Sequence, residues 1–471
     1  MLTISDKSTR ACDGLTRRGF LVAGALSAAG LSLADLLRAE EAAGIRSSRK
    51  AVVNIHLDGG PPHIDMIDLK PEAPVEIRGE FSPIATRAAG ISICELLPKL
   101  AGIADKFVFI RSLVGSVGVH DAFQCQSGFS ENDQKSSGGR PAFGSVIAKL
   151  RGSMRDTAPP FVDLMQGRPF VRNSARPGFL GPSFQPFRPD ISKMFSRPLE
   201  EGMKRELAAK GADHATSLSL IDGISIDCLH DRMALLNEFD RFRRDLDASG
   251  MMDAMDGFTR QAAGILTSGR FGEALDLNKE DPRVLARYSL PENASPDQLG
   301  TSEGASWPKK LLLARRLIEA GVRCVGLSLS DFDTHRANFT CLRRILPLLD
   351  HGLEAFMTDL AERGLADDVS IVAWGEFGRT PMVDVKTAGR HHWPNVGMAL
   401  LAGGGMRTGQ VIGQTDRQGG AAVSRPVSYQ DVMATLYHNL GIDLSSTRLT
   451  DPSGRPQMLL DAGQPLREVV N

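Results

Sequence analysis

The 471-residue sequence has no excess of charge of either sign. It contains 55 lysines and arginines against 56 aspartates and glutamates, which gives a formal net charge of −1. A protein that grips nucleic acid needs a basic excess or a basic stripe on its surface, and a polyanionic tail would need the reverse. The balance therefore argues against nucleic acid as a partner.

Cysteines are also few. The chain has six, and none of them is spaced as Cys-x-x-Cys. Five lie beyond the first 43 residues, so at least one thiol stays unpaired; these five are Cys94, Cys125, Cys228, Cys324 and Cys341. A chain of this length does not need a disulfide to fold, although an oxidising compartment would permit one. Cysteine usage therefore does not define the chemistry of the protein.

Long hydrophobic runs are scarce as well. An uncharged stretch rich in Ala, Gly and Leu covers residues 19–34, whereas a membrane-spanning helix needs about 20 residues. Arg17 and Arg18 stand directly before it, and a paired arginine before an N-terminal apolar run is typical of a twin-arginine export signal. We interpret residues 1–43 as an export leader; a short buried helix is the alternative explanation.

The leader bears on both location and chemistry. We expect export by the twin-arginine translocase to the periplasm or the extracellular space, or membrane anchoring if the leader is not cleaved. A cleavage site near Ala42 and Ala43 lacks a clean Ala-x-Ala pattern. Because this pathway carries folded proteins, often after they take up a cofactor or metal, the signal raises the expectation of a bound metal.

Short β-prone runs alternate with helix-like stretches beyond the leader. We predict strands at residues 51–57, 107–113, 322–329, 369–374 and 397–402. We predict helices at residues 94–104, 142–151, 307–320, 339–363 and 429–440. Continuous apolar strands indicate a sheet that is covered on both faces. The sequence thus predicts an α/β fold, with a mostly parallel central sheet and helices on both faces.

The middle of the chain differs from the two ends. Residues 167–200 are rich in Pro, Gly, Arg and Phe, and residues 202–290 have the pattern of consecutive helices without a convincing strand. We predict one large domain at residues 44–471, with a largely helical insertion at residues 167–300.

Acids and histidines gather where the predicted strands end. Ligands of open α/β sheets bind at the carboxyl ends of strands. Six of the ten histidines lie at strand ends or in the loops that follow: His56, His63, His120, His335, His391 and His392. A lone histidine is usually structural, but six at one predicted edge favour a functional site. Mixed carboxylate and imidazole ligands suit Zn²⁺, Mn²⁺ or Fe²⁺ better than an all-oxygen Mg²⁺ or Ca²⁺ cage.

Three residues near these loops allow two interpretations each. Arg379 could clamp a sulfate or phosphate with its planar fork, or form an ion pair with Glu376 or Asp384. Asp333 could bind metal and could also cap the helix that follows, because the two roles are compatible. Trp393 could form a wall of the site, or pack inside the protein.

Several motifs together resemble a known family. They are Gly59-Gly-Pro-Pro-His-Ile-Asp65, Arg78-Gly-Glu-Phe81, Leu97-Pro98, Asp105-Lys106 with Arg111-Ser-Leu113, Asp333-Thr-His335, Gly375-Glu-Phe-Gly-Arg-Thr-Pro381, Gly389-Arg-His-His-Trp393 and Ala402-Gly-Gly-Gly405. The chain resembles the DUF1501 proteins over nearly all of its predicted mature length. These are exported, twin-arginine-tagged bacterial proteins that are abundant in planctomycetes. Their core fold is similar to alkaline phosphatases and sulfatases, so the resemblance implies an alkaline phosphatase-like core.

The resemblance also implies metal ligands. The aspartate that ends the first strand in alkaline phosphatase-like enzymes corresponds to Asp58. Their next Asp/His ligand pair looks like Asp333 and His335, at a tighter spacing than the usual Asp-x-x-x-His. Their Asp-His-Gly motif is replaced by Glu376-Phe-Gly, which loses one imidazole. The final ligand histidine, shortly before a strand, is matched by His392 or His391.

The nucleophile of the superfamily is the weakest match. It should lie at a helix N-terminus after the strand at residues 107–113, where the helix dipole steadies an anion. Only Ser116 and His120 are candidates there, and neither lies in a Cys/Ser-x-Pro-x-Arg signature. A metal-bound water, with His120 as base or substrate ligand, is an equally good mechanism.

Two functions remain open on the sequence. The first is an exported, metal-dependent hydrolase of phosphate or sulfate esters, whose substrate is a small molecule or a polymer. The mixed carboxylate and imidazole ligands favour Zn²⁺ or Mn²⁺ as its divalent metal. The second is an exported binding or scaffold protein that keeps the alkaline phosphatase-like core without catalysis. The clustered His and Asp residues favour the first function, while the lost imidazole and absent nucleophile signature favour the second.

Overall fold

The computed structural model describes most of the chain beyond the predicted leader. The described residues are 50–120, 123–130, 132–133, 138–153, 156, 158–172, 175–195, 269–290 and 303–471. The predicted leader at residues 1–43 and most of the predicted helical insertion lie outside them, as does Cys228.

The described residues contain an eight-stranded sheet and four small two-stranded sheets. In chain order the strands are β1 (Ala51–Leu57), β2 (Pro83–Ala85), β3 (Ser92–Cys94), β4 (Phe107–Val114), β5 (Phe161–Asp163), β6 (Cys324–Leu329), β7 (Val369–Trp374), β8 (Gly378–Arg379), β9 (His392–Trp393), β10 (Gly397–Gly403), β11 (Gln410–Ile412), β12 (Gln414–Thr415), β13 (Ala422–Ser424), β14 (Val427–Ser428), β15 (Arg448–Thr450) and β16 (Pro456–Met458).

The large sheet is mostly parallel. Its order is β11-β4-β10-β7-β1-β6-β5, and β14 also pairs with β4. Strand β1 pairs in parallel with β6 and with β7. Strand β10 is antiparallel to both of its neighbours, β4 and β7, so it alone runs against the other described strands of this sheet. The carboxyl ends of β1, β4, β6 and β7 therefore share one edge with the amino end of β10.

Helices cover both faces of the sheet. In chain order the α-helices are α1 (His63–Met66), α2 (Val75–Arg78), α3 (Pro98–Gly102), α4 (Gln124–Ser127), α5 (Phe143–Arg151), α6 (Arg168–Arg172), α7 (Arg270–Leu275), α8 (Pro282–Arg287), α9 (Pro308–Glu319), α10 (Asn338–Glu362) and α11 (Tyr429–Asn439). Alternate residues of β1 join two separate clusters: Val53 and Ile55 pack with α9 and α10, and Val52 packs with α5 and α11. Because side chains alternate along a strand, these clusters mark the two faces.

The structure confirms the predicted α/β class, and most predicted elements agree with it to within a few residues. The helix predicted at residues 94–104 is wrong in its first half, because Ser92–Cys94 pairs as a strand with Pro83–Ala85 and the helix begins at Pro98. The antiparallel direction of β10 was not predicted. An apolar run of this kind indicates a buried strand without indicating its direction.

The described end of the predicted insertion is helical. Residues 269–290 contain α7, α8 and a 3₁₀ turn at Leu277–Lys279. This segment is tied to the core through Glu280, which accepts hydrogen bonds from Arg315 at 2.7 Å, Arg316 at 2.8 Å and Arg363 at 3.4 Å. Among the described residues, no helix combines the length and the apolar character that crossing a membrane would require.

Candidate metal centre

The topology of the sheet brings the candidate residues to one edge. Asp58 follows β1, Asp333 follows β6, and Glu376 follows β7. His120 lies in the loop after β4, and His392 precedes β10, whose reversed direction places its amino end at this same edge. Chain segments far apart in sequence thus supply carboxylates and imidazoles to one place.

The first ligand group is buried and consists of His56, Asp58 and Glu376. The His56 Nε2 atom lies 3.5 Å from Asp58 Oδ1 and 3.6 Å from Glu376 Oε2. One donor atom of each residue lies within 4.8 Å of those of the others. Neither ring nitrogen of His56 has a hydrogen-bond partner, and neither has Glu376 Oε2. These atoms therefore converge without satisfying one another.

Charge in this first group is unbalanced. Burial would lower the pKa of His56, but the Asp58 and Glu376 carboxylates raise that pKa above its ordinary value. Two carboxylates around one imidazole leave a net negative charge even when the imidazole is protonated. Buried charge is costly unless it is paired. A divalent cation fits this donor set because it would take the place of the proton and satisfy the unpartnered atoms.

The second ligand group consists of His120, Asp333 and His392, whose donor atoms also lie within 4.8 Å of one another. The His120 Nε2 atom lies 3.3 Å from Asp333 Oδ2, and His392 Nε2 lies 3.7 Å from Asp333 Oδ1. His335 joins this group from its exposed side, with Nε2 at 3.1 Å from Asp333 Oδ1 and 3.0 Å from His392 Nε2. The predicted Asp333 and His335 pair is thus brought together with His392.

His120 connects the two groups. Its Nδ1 atom lies 2.9 Å from Glu376 Oε1, the oxygen that also accepts the Gly59 backbone N–H at 2.9 Å. Burial would lower the pKa of His120, but hydrogen bonds to Asp333 and Glu376 raise it to about 9. The His120 imidazole, between the Glu376 and Asp333 carboxylates, therefore favours its protonated form.

Arg379 is fully buried and bonded to the protein. It forms an ion pair with Asp333 Oδ1 at 2.6 Å, so its partner is neither Glu376 nor Asp384, the two acids that the sequence interpretation considered. Its other contacts are to the backbone carbonyls of Gly59, Gly60 and Arg390. Burial would raise the pKa of Asp333, but hydrogen bonds from His120, His392 and Arg379 hold it far below its usual range. All three guanidinium nitrogens thus face protein acceptors, an arrangement that positions Asp333.

Of the two adjacent histidines, His392 is the one that reaches the ligand group. His391 lies farther out, with Nδ1 at 2.9 Å from His335 Nδ1 and Nε2 at 3.2 Å from Asp384 Oδ2. A carboxylate on the far nitrogen of a histidine commonly orients its ring. His391 and Asp384 therefore form an outer layer behind His335.

Ser116 is held by the protein backbone. Its hydroxyl donates to the Glu376 carbonyl at 2.7 Å and accepts the Gly118 N–H at 3.1 Å. Ser116 and His120 lie in the loop before α4, a helix of four residues, so the predicted helix N-terminus at this place is absent from the described residues 115–120. The contacts of the hydroxyl include no side-chain base, which a serine nucleophile needs.

Phe377 packs against two imidazoles of the second ligand group. Its ring centroid lies 4.2 Å from that of His392 and 5.2 Å from that of His120. The Phe377 side chain is itself buried. The Phe377 ring therefore forms an apolar wall beside two imidazoles.

A buried ion pair supports the histidine loop. Arg390 donates from Nε to Asp65 Oδ2 at 2.7 Å and from Nη2 to Asp65 Oδ1 at 2.8 Å. Asn338 also donates to Asp65, at 2.8 Å. Trp393 donates from its indole to the Gly420 carbonyl at 2.7 Å, so it anchors this loop. Both ends of the segment that carries His392 are fixed.

Sequence reasoning counted His56 among the histidines at strand ends but left it out of the ligand set. A usable signal was present in its spacing. His56 and Asp58 are two residues apart at a strand end, and side chains at such a spacing lie on the same face.

The chain belongs to the family described as "Protein of unknown function (DUF1501)", whose model matches residues 49–470. No match was found among the curated proteins.

Solved structures with a similar fold include a sulfatase from Pseudoalteromonas sp., at 11% identity and a TM-score of 0.39, with 86% of this chain and 70% of that chain covered. A phosphonate monoester hydrolase of Agrobacterium radiobacter has 14% identity and a TM-score of 0.30, with 84% and 74% covered. The lipoteichoic acid synthase LtaP from Listeria monocytogenes has 10% identity and a TM-score of 0.32, with 84% and 73% covered. These TM-scores are low, so the function proposed below rests on the side chains of this chain.

Proposed function

We propose that the protein is an exported, metal-dependent hydrolase of phosphate or sulfate esters. The observation that carries this proposal is the pair of ligand groups joined by the contact between His120 and Glu376. In the first group, a buried imidazole and two buried carboxylates converge while His56 and Glu376 Oε2 lack hydrogen-bond partners, which are the expected surroundings of a divalent ion.

The first group is the better place for such an ion. His56 and Glu376 carry the unpartnered atoms of this group, whereas one oxygen of Asp333 already pairs with Arg379. Mixed nitrogen and oxygen donors favour Zn²⁺ or Mn²⁺. A bound divalent ion supplies Lewis-acid polarisation of the ester and activation of water.

The chain's own residues then have distinct tasks. His120, between Glu376 and Asp333, holds a proton at Nε2 or Nδ1 and can exchange it with the attacking water or the leaving oxygen. His392 and His335 border the same space from the exposed side. Arg379 keeps Asp333 ionised, and Phe377 excludes water from one side of the imidazoles. An anionic ester would meet the protonated His120 and the metal.

A binding protein without catalysis is the second candidate. The observation that favours it is the double hydrogen bonding of Ser116, which leaves the superfamily's nucleophile position without an activated hydroxyl. This candidate keeps the metal and predicts ligand binding with no turnover.

Metal analysis combined with an ester panel tests the proposed hydrolase. The wild-type protein, purified from an exporting host, should hydrolyse an aryl phosphate or aryl sulfate in the presence of Zn²⁺ or Mn²⁺, and chelation should abolish the activity. His120→Gln should lower kcat by about 100-fold, the usual size of a lost general acid or base, and should keep the ion of the first ligand group, to which His120 does not belong. Arg448→Gln, an exposed arginine on β15, serves as control. Stoichiometric metal without turnover on any ester would favour the binding protein.

Export through the twin-arginine translocase is part of the proposal. It is supported by Arg17, Arg18 and the apolar run at residues 19–34. Replacing both arginines by lysine should retain the protein in the cytoplasm of a host that exports the wild type, as fractionation would measure. Equal export of both forms would contradict this route.

A further inference from the structure

A second cavity lies outside the metal centre. Its volume is about 600 Å³, and none of the residues of the two ligand groups lines it. The charged residues that do are Asp68, Lys70, Arg111, Arg425 and Glu468. Arg111 belongs to the Arg111-Ser112-Leu113 motif on β4. The proposed hydrolase function assigns no role to this motif.

The cavity carries an excess of positive charge, with three cations against two carboxylates. Arg425 and Glu468 neutralise each other through two hydrogen bonds of 2.6 and 2.9 Å. Lys70 and Arg111, the other two cations, both face Asp68. Its Oδ1 atom lies 3.0 Å from Lys70 Nζ and 3.7 Å from Arg111 Nε. Its other oxygen accepts the Thr415 hydroxyl. Lys70 and Arg111 therefore share one carboxylate and retain capacity for a second anion.

Arg111 is incompletely bonded. Its Nη2 atom donates to the Ser92 carbonyl at 3.0 Å, but its Nε atom is buried and has no hydrogen-bond partner. Burial lowers the pKa of this guanidinium, as expected of a cation that lacks full compensation. A buried N–H group without an acceptor is costly, so Asp68 at 3.7 Å compensates the Arg111 charge only in part.

The neighbouring residue of the motif shapes the same cavity. The Ser112 hydroxyl donates to the Arg425 carbonyl at 2.6 Å, and Arg425 has a left-handed φ of 46°. The backbone of Arg425 is thus held in an uncommon conformation by the residue beside Arg111. Arg111 therefore lines the cavity itself, and Ser112 holds the backbone of Arg425, another lining residue.

The rest of the lining is hydrogen-bonding in character. Gln414 and Ser424 face each other in the register of β12 and β13, and both line the cavity. None of the described lining residues is aromatic, so the wall offers no stacking surface for a base or an aryl ring. Amides and hydroxyls beside a pair of cations suit a ligand that has hydroxyl groups and one anionic group.

We propose that this cavity binds an acidic sugar unit, with its carboxylate or sulfate group against Lys70 and Arg111 and its hydroxyls toward Gln414 and Ser424. The site is separate from the proposed ester hydrolysis and does not require a metal. It would hold an acidic saccharide on the protein while the metal centre acts elsewhere.

Calorimetry on the whole, chelator-treated protein tests the site, with glucuronate, glucose 6-sulfate, glucose and inorganic sulfate as probes. We expect glucuronate or glucose 6-sulfate to bind more tightly than inorganic sulfate, and glucose not to bind. Arg111→Gln and Lys70→Gln should each weaken binding about tenfold, the typical effect of one lost charge-assisted hydrogen bond. Both variants should keep the melting temperature within a few degrees of wild type. Arg448→Gln removes an equal charge outside the cavity and should change nothing.

The outcomes separate this site from the metal centre. His56→Ala should leave binding of the acidic sugar unchanged, whereas it should remove the ion of the first ligand group. Inorganic sulfate that binds as tightly as the acidic sugars would overturn the proposal. So would binding that survives both Arg111→Gln and Lys70→Gln in a folded protein, or no binding of either acidic sugar. If no ester is hydrolysed, the result on sugar binding is unaffected. If no acidic sugar binds, the result on ester hydrolysis is likewise unaffected.

Discussion

At the scale of single residues, the chemistry depends on which charges touch each other. Asp333 is the clearest case, because Arg379 binds one of its oxygens and His120 faces the other. Sequence reasoning could place Asp58, Asp333 and Glu376 at strand ends, since this requires only the strand boundaries. It could not predict the partner of Arg379, because that partner comes from a different strand and loop.

Gly59 lets two loops approach closely beside the metal centre. Its φ is 106°, and an added Cβ would lie 2.3 Å from the Asp333 nitrogen. Gly59→Ala should therefore displace Asp333 and lower both metal content and ester hydrolysis at least tenfold, with strain of about 1–3 kcal/mol. Metal analysis and melting curves would measure both effects. Gly102→Ala is the matched control, because an added Cβ there meets nothing within 4 Å; equal behaviour of the two variants would contradict the close approach.

Asp350 gives a pH dependence away from the metal centre. It is 4% exposed and accepts the Lys99 and Leu100 N–H groups at the start of α3. Burial raises its pKa to about 6, although those N–H groups and the Lys99 charge oppose the rise and Glu354 supports it. The folded pKa exceeds the unfolded value of about 3.9. The contribution of Asp350 to stability is therefore full below about pH 4 and is lost as the pH rises through about 6.

Comparison with Asp350→Asn isolates this contribution, because asparagine does not titrate. The free energy of unfolding of the wild type minus that of the variant should fall by on the order of 2 kcal/mol between pH 4 and pH 7. Urea unfolding at several pH values would measure it. A difference that stays constant or rises with pH would show that the carboxylate is not destabilised by burial.

At the scale of elements, the direction of one strand decides the site. Sequence patterns predicted β1 and β7 at their observed bounds, because continuous apolar runs define buried strands well. They could not predict that β10 runs antiparallel, since direction depends on the connection and not on the run itself. That direction brings His392 to the edge where Asp58 and Glu376 lie.

The loop that carries His392 depends on the Arg390 and Asp65 ion pair. Both side chains are at most 1% exposed, and breaking a buried pair typically costs about 3–5 kcal/mol. Arg390→Ala should lower the free energy of unfolding by this amount. Chemical denaturation would measure the loss. Arg343→Ala removes the exposed pair with Glu80 and should cost at most about 1 kcal/mol. An equal cost for both would show that the buried pair does not fix the loop.

Glu280 attaches helices α7 and α8 to the core helices. It accepts from Arg315, Arg316 and Arg363, and Arg315 is itself buried. Glu280→Ala should speed amide hydrogen exchange in α7 and α8 more than in α11, because the segment loses three hydrogen bonds to the core helices. Glu273→Ala removes only an exposed pair with Lys279 and should leave exchange unchanged. A uniform rise throughout the protein would instead indicate global destabilisation.

At the scale of the whole molecule, the even charge conceals a local asymmetry. The chain balances 55 basic against 56 acidic residues, yet the first ligand group is buried with two carboxylates and one imidazole. Composition therefore led us to expect no nucleic-acid partner, but it could not reveal this local excess of negative charge. The second cavity shows the opposite asymmetry, with an excess of cations.

Metal binding should consequently affect the stability of the entire fold. An ion that binds only the folded state adds about 2.7 kcal/mol at 100 times its dissociation constant. Melting temperature should rise with Zn²⁺ or Mn²⁺ concentration in the wild type. The rise should be much smaller in His56→Ala, whose ligand group is incomplete.

The most direct measurement is the metal content of purified wild type, His56→Ala, Glu376→Gln and Arg448→Gln by elemental analysis. We predict about one or two divalent ions per chain in the wild type and in Arg448→Gln, because either one or both ligand groups would be filled. His56→Ala and Glu376→Gln should lose the ion of the first group. Wild-type protein that takes up no divalent metal at any concentration, or folded variants with unchanged content, would contradict the assignment of this metal centre.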